Sequence, residues 1–174
     1  MTLRSFTFVL VAISLLIVGS LAVACGGADE TLTFEEYFAR FDELGDQFEA
    51  GLQEAGTDVP TDNEDDALSV IRENLVSPVA LYAIFVRGVS ELKPPDGITS
   101  EHEELEEAMR AFGDVLTEYS GEISNVASME ELQALASNEA LEAAGTRAEE
   151  ACLALQQIAA NAGIELDLNC GSGA

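Results

Sequence analysis

One histidine, His102, and three cysteines, Cys25, Cys152 and Cys170, are the side chains from which metal binding, thiol chemistry or imidazole catalysis would have to be built. The single histidine narrows the field at once. A carboxylate-bridged di-iron centre in a helical bundle uses two Glu-x-x-His motifs, and Thr99 stands three residues before His102, so the chain supplies none. Zinc hydrolase sites built on paired histidines are absent for the same reason. A Ser-His-Asp arrangement does not need adjacent members, but no Gly-x-Ser-x-Gly segment points to one. His102 itself has two readings. It falls on an apolar helical stripe, where the structural reading is a partly buried imidazole bonded to a carboxylate on a neighbouring helix. The functional reading makes it a pH sensor or, with Glu106 one turn later, half of a weak divalent-cation site. Isolated ligands bind metal poorly, which favours the structural role.

Carboxylates are the remaining chemical resource. The chain carries 33 Asp and Glu against 7 Lys and Arg, a formal net charge of −26. Such a field repels nucleic acid and anionic lipid headgroups and favours basic protein partners or divalent cations. The acidic stretch Asp58 to Asp66 lacks the Asp-x-Asp-x-Asp-Gly register and closing Glu of an EF-hand, and reads instead as a solvated helix start. Paired carboxylates can hydrolyse glycosides, but the chain has no tryptophan to stack on a sugar. Phosphate-binding glycine loops are missing as well. The reading that follows is a protein with no catalytic residues, no cofactor and no nucleic-acid partner.

The acids are confined to the body of the chain, since none precedes Asp29. Arg4 and the apolar stretch Phe6 to Ala24, closing on Ala22, Val23 and Ala24, have the grammar of an export leader. The competing reading is an uncleaved transmembrane helix, because about 17–25 apolar residues cross a bilayer. The run Leu21-Ala22-Val23-Ala24-Cys25-Gly26-Gly27 resembles the lipobox of bacterial lipoproteins, departing from the commonest form in having Ala22 three before the cysteine and Leu21 one earlier. The resemblance implies that residues 1–24 are a signal peptide, that Cys25 takes a diacylglyceryl group, and that the mature protein is membrane-anchored and faces outside the cytoplasm, at the cell surface or in a periplasm. Two or more acyl chains hold firmly where one does not. Residues 25–32 then form the lipidated cysteine and a short flexible tether, and residues 33–174 the acidic domain.

With Cys25 assigned to lipid, Cys152 and Cys170 remain, an even number in a compartment that permits disulfides. Helix from Cys152 to Gly163 rises about 16 Å, and the next seven residues extend up to about 23 Å, so the tail can fold back beside its own helix. Ile164, Leu166 and Leu168 alternate with polar residues, as an extended strip lying on the domain would. A Cys152–Cys170 disulfide is therefore predicted, in preference to two free thiols on a metal.

These residues must be positioned by helices. Thr33 and Glu36 have capping-box spacing, predicting a first helix from Phe34, with Tyr37, Phe38, Phe41, Leu44, Phe48 and Leu52 on its apolar face and an end near Gly56. A second helical region runs to Leu92; Pro78 either kinks it or, capped by Ser77, starts a new helix. Its stretch Leu75 to Val86 is apolar nearly all round, too short to cross a membrane, and is predicted to be the most buried part of the domain. A third helix follows Pro94, Pro95 and Gly97 and carries Ile98, His102, Leu105, Met109, Phe112, Leu116 and Tyr119 inward to about Gly121. A short helix capped by Ser128 leads to a last one from about Asn138 to Ala162, whose inward Leu141, Ala144, Ala148, Cys152, Leu155, Ala159 and Ala162 permit close approach of a neighbour, with Gly163 as a left-handed stop.

Leu92-Lys93-Pro94-Pro95 with His102 and Leu105, and the ending Ala151-Cys152-Leu153-Ala154-Leu155-Gln156 with Cys170, resemble elements of poorly characterised helical bacterial lipoproteins. That resemblance carries over no active site. The sequence thus predicts an all-α fold: an up-and-down four-helix bundle with a short extra helix and an extended C-terminal tail, preceded by a signal-peptide helix. Its function is read as a lipid-anchored binding or scaffolding module. The alternatives are a cation- or pH-responsive envelope sensor using His102 and acidic residues, a small carboxylate-dependent enzyme, and a carrier with an apolar cavity near Tyr82, Phe85 and Phe112.

Overall fold

The computed structural model describes residues 31–56, 64–166, 168 and 170, which belong to one compact unit beginning at Thr31. Among them are five helices and no strand: α1 (Phe34–Glu54), α2 (Glu64–Glu91), α3 (Thr99–Ser124), α4 (Met129–Leu135) and α5 (Glu139–Asn161). The fold class is all-α. The leader 1–24, Cys25 with residues 26–30, the loop part of Asp58 to Asp66 and the side chains of its last three residues lie outside the described residues.

Local chemistry sets the helix ends. Thr33 and Glu36 form the reciprocal capping box, with the Thr33 N–H donating to Glu36 Oε2 at 3.0 Å and the Glu36 N–H to Thr33 Oγ1 at 3.3 Å. The Ser128 hydroxyl accepts from the Glu131 N–H at 3.2 Å to start α4, and Asn138 Oδ1 accepts from the Leu141 N–H at 3.0 Å to start α5. Each cap satisfies a backbone donor that helix geometry leaves orphaned. Gly163 terminates α5 with φ +77°, a conformation costly for a residue bearing a Cβ. One boundary differs from the sequence reading: α3 continues past Gly121 to Ser124. The Asn125 amide donates to the Gly121 carbonyl at 2.8 Å and the Ser124 hydroxyl to that of Ser120 at 2.8 Å, so side chains extend the hydrogen bonding beyond the glycine. Pro78 lies inside a single helix α2 and starts no new one.

The long helices pack in chain order, α1 on α2, α2 on α3, and α3 most extensively on α5. Neighbours run antiparallel. A Cβ on Gly51 would meet Leu81 and one on Gly88 would meet Leu44 at 2.6 Å, so rising positions on α1 face falling positions on α2. Arg147 of α5 donates to Glu107 of α3 at 3.0 Å, while Phe112 lies beside Gly145. Small residues are also buried on the α3 and α5 faces, where Ala108, Ala151 and Ala159 belong to one cluster.

The main buried cluster lies at one end, while Ala67, Leu68, Ile123 and Val126 are buried separately from it. Tyr37, Phe38 and Phe41 of α1, Val89 and Leu92 at the end of α2, Ile98, Leu105, Ala108 and Met109 around the start of α3, and Ala151, Leu155 and Ala159 of α5 form one buried cluster. Ile164, Leu166 and Leu168 of the tail pack against it, as does Leu32, whose N–H donates to the Lys93 carbonyl at 3.2 Å. Leu155 is 0% exposed. Burying a leucine or phenylalanine side chain of this kind stabilises by about 1.5–3 kcal/mol.

The middle of α2 overturns its expectation of deepest burial. Val76 is 61% exposed and Ile84 55% exposed, and Ala80 and Ala83 are exposed between them. Only one side of this stretch, with Tyr82, Phe85 and Val86, meets the rest of the molecule. The reason is topological: α2 packs against α1 and α3, and among the described residues no further layer covers its outer face. Within the described residues, Ala67–Glu91 is also the one helical stretch long and apolar enough by composition to cross a membrane, with hydropathy 1.3. Ala162, read as inward, is exposed, because it lies past the end of α5 where the chain turns at Gly163.

Candidate functional site

The chemically distinctive residues gather at the packed end. His102 occupies the first turn of α3, set there by the turn at Gly97, where φ is +100°, and its backbone N–H donates to the Ile98 carbonyl at 2.9 Å. Only 4% of the residue is exposed. Its Nδ1 shares a hydrogen bond of 2.9 Å with the Tyr37 hydroxyl of α1, and the two rings meet edge to face with centroids 5.7 Å apart. The partner predicted from sequence was a carboxylate on a neighbouring helix; the structure supplies a phenol instead. A neutral partner suits a buried neutral imidazole, since an ionised carboxylate would itself need further desolvated donors.

Burial pushes the His102 pKa below its ordinary value, and the carboxylates of Glu106 and Glu103 only partly offset this. Tyr37 is pushed upward by burial, so its hydroxyl stays protonated. Tyr82 is raised for the same reason and donates to the Met109 carbonyl at 3.2 Å.

Glu106, the proposed second half of a cation site, forms an ion pair with Arg110 one turn along the same helix. The imidazole of His102 is meanwhile committed to Tyr37. Among the described residues no group of three or more His, Cys, Asp or Glu side chains is arranged to hold a metal ion. The acidic stretch Asp58 to Asp66, the other cation candidate, falls outside what the structure describes.

Cys152 and Cys170 are joined as a disulfide with Cα atoms 5.5 Å apart. Cys152 sits on α5 one turn before Leu155. The bond ties the tail back along that helix, so that Ile164, Leu166 and Leu168 cover the core. Gly163 permits the reversal, and the Ile164 N–H donates to the Ala159 carbonyl at 2.9 Å.

Two open grooves flank α1 and α2. One, of about 500 Å³, is lined by Arg40, Glu43, Leu44, Gln47, Gly88, Glu91 and Leu92. Its polar side chains are exposed to solvent. The second, of about 240 Å³, is mainly apolar and lies where the end of α1 meets Ile71, Leu75 and Pro78. The space near Tyr82, Phe85 and Phe112, suggested for a carrier, is filled by the rings themselves: Tyr82 meets Phe112 edge to face at 5.3 Å, and Phe48 stacks on Phe85 at 5.3 Å.

Sequence reasoning missed Tyr37 as the partner of His102, 65 residues away. Its signal was a phenol on the same apolar stripe as Phe38 and Phe41. Comparison with family models, with curated proteins and with solved structures finds no match to this chain.

Proposed function

We propose that this chain is a lipid-anchored, extracytoplasmic binding or scaffolding module without a catalytic role. In this reading residues 1–24 are a signal peptide, Cys25 carries the lipid, and the four long helices close into an up-and-down four-helix bundle. The observation that carries it is the junction Leu21 to Gly27, where an acid-free apolar leader ends in Ala-Cys-Gly-Gly before a strongly acidic body. The Cys152–Cys170 disulfide supports placement outside the cytoplasm, because structural disulfides persist in oxidising compartments. Exposed polar side chains in the larger groove favour binding over catalysis, and the net charge of −26 favours basic proteins or cations as partners.

Intact mass of the membrane-extracted protein tests the reading in one measurement. The expected mass lacks residues 1–24, gains acyl chains and is two hydrogens short of the dithiol form. A native protein that retains its leader and a free Cys25 thiol would overturn the proposal. Cys25→Ser is expected to abolish lipidation.

A pH-responsive form of the module is favoured by one observation, the buried His102 bonded to Tyr37. The divalent-cation form has less support, since Glu106 is paired with Arg110. Calorimetric titration with calcium, magnesium and zinc decides that point: no saturable heat removes the cation reading.

A further inference from the structure

The outer face of α2 is apolar, exposed and nearly free of charge. Val76, Ala80, Ala83 and Ile84 recur at helical spacing on one face, and all four are exposed. Between Glu73 and Glu91 the only charged residue is Arg87, in a chain whose net charge is −26. An exposed apolar stripe of this kind marks a surface that meets another phase or partner. Three features select a bilayer as the occupant.

First, the described chain begins at the right place. Leu32 is bonded to Lys93, at the C-terminal end of α2. Six residues lie between Cys25 and Leu32, and the seven steps from one to the other span at most about 25 Å. Ile84 lies nine residues before Lys93, about 14 Å along the helix, within reach of a membrane that holds Cys25. Second, the charge pattern fits. Arg87 lies on the stripe and Lys93 follows the helix, both exposed, where long cationic side chains snorkel to lipid phosphates. The nearest acids in sequence, Glu73, Glu91 and Asp96, lie outside Val76 to Arg87. Third, a second copy seated on this face would bring its own acidic α1 and α3 surfaces toward those of the first, whereas a zwitterionic surface carries no net charge.

We propose that α2 rests its Val76–Ile84 face in the headgroup boundary of the bilayer to which the chain is anchored, so that the domain lies against the membrane. The proposal rests on the reading of Cys25 as the lipid-bearing residue. The contact is one-sided: α2 packs against α1 and α3, whose other faces are acidic, so the helix lies along the interface and does not cross it.

The chain has no tryptophan, so one introduced indole reports on one position. Full-length Ile84→Trp, Val76→Trp and, as a control on α5, Thr146→Trp are produced with their native processing and placed in phosphatidylcholine vesicles with brominated or unbrominated acyl chains. All three positions are exposed and tolerate the larger ring. The indoles of Ile84→Trp and Val76→Trp are expected to be quenched by bromine, and that of Thr146→Trp to keep its emission. Equal emission in both vesicle types for all three variants would overturn the proposal. So would blue-shifted, unquenched emission from Ile84→Trp together with chemical cross-linking of two copies, which would assign the face to self-association. Intact mass of the same samples separates the two levels: acylated Cys25 without quenching removes the membrane contact alone, and an unmodified Cys25 removes the anchor reading with it.

Discussion

The end of the molecule where Leu32 bonds to Lys93 and the half beyond Tyr82 are made by the same long helices, yet they are packed differently. At the first end, residues from α1, α2, α3 and α5 meet in one cluster, and the tail adds Ile164, Leu166 and Leu168 as a cover. In the other half Leu68, Ile123 and Val126 are buried at the far end, but Phe48, Phe112, Leu116 and Tyr119 are only partly buried, and the outer side of α2 is bare. Amphipathic helices alone therefore do not make an equal core along their length. The difference is the covering strip that Gly163 and the Cys152–Cys170 bond hold in place.

Substitution at matched hydrophobic positions gives the largest test of that contrast. Phe38→Ala, at a residue 1% exposed, is expected to cost about 3–5 kcal/mol of unfolding free energy. Val76→Ala is expected to cost under about 0.5 kcal/mol, because its side chain is already in solvent. Denaturant unfolding of both variants measures the difference, and equal losses would break the distinction between the two regions.

Removing the tail's clasp comes next. Cys152→Ser combined with Cys170→Ser is expected to destabilise by about 2–5 kcal/mol, and to raise amide exchange at Leu155 to Ile164 before that at Ile71 to Leu75. A variant with unchanged midpoint and exchange would show that the strip stays down without its bond.

The buried polar pair sharpens the comparison by pH. Tyr37→Phe leaves His102 Nδ1 without its partner and is expected to cost about 1–3 kcal/mol. The folded state holds the His102 pKa below the unfolded value of about 6.5. The unfolded chain therefore binds the proton first as pH falls, and the contribution of the neutral, buried imidazole, complete above pH about 6.5, is lost downward from there toward the folded pKa. Titrating carboxylates move the whole curve, so the reading is the difference between the wild type and His102→Gln. That difference is expected to change between pH 7.5 and the acid side of 6.5, and a constant difference would remove the pH role.

The smallest effect concerns local opening. Amides in α2 around Ile71 to Val79 are expected to exchange at least roughly tenfold faster than those of α1 from Phe38 to Leu44, since burial is lower there and Pro78 lacks an N–H donor. Uniform protection along α2 would blunt the contrast.

How far this was legible depends on what each feature needs. Helix starts at Thr33, Ser128 and Asn138 were readable because capping is decided within a few residues. The end of α3 was misread because Gly121 was weighed without the side-chain bonds of Ser124 and Asn125 that carry the helix past it. The exposure of Val76 and Ile84 was invisible because hydropathy reports what a side chain prefers, while burial depends on how many neighbours the topology provides. The pairing of His102 with Tyr37 was beyond reach for a related reason: both residues were placed on apolar stripes, but the rotation of α1 against α3 that brings them together belongs to packing.

The bond from the Leu32 amide to the Lys93 carbonyl has a mechanical meaning. Tension drawn along the residues preceding Leu32 arrives first where the start of α1 is stitched to the end of α2, so two helices share the load from the outset. Behind that stitch stand Tyr37, Phe38, Val89 and Leu92, all buried in the main cluster. A pull applied ahead of Leu32 would reach this buried cluster before the half beyond Tyr82.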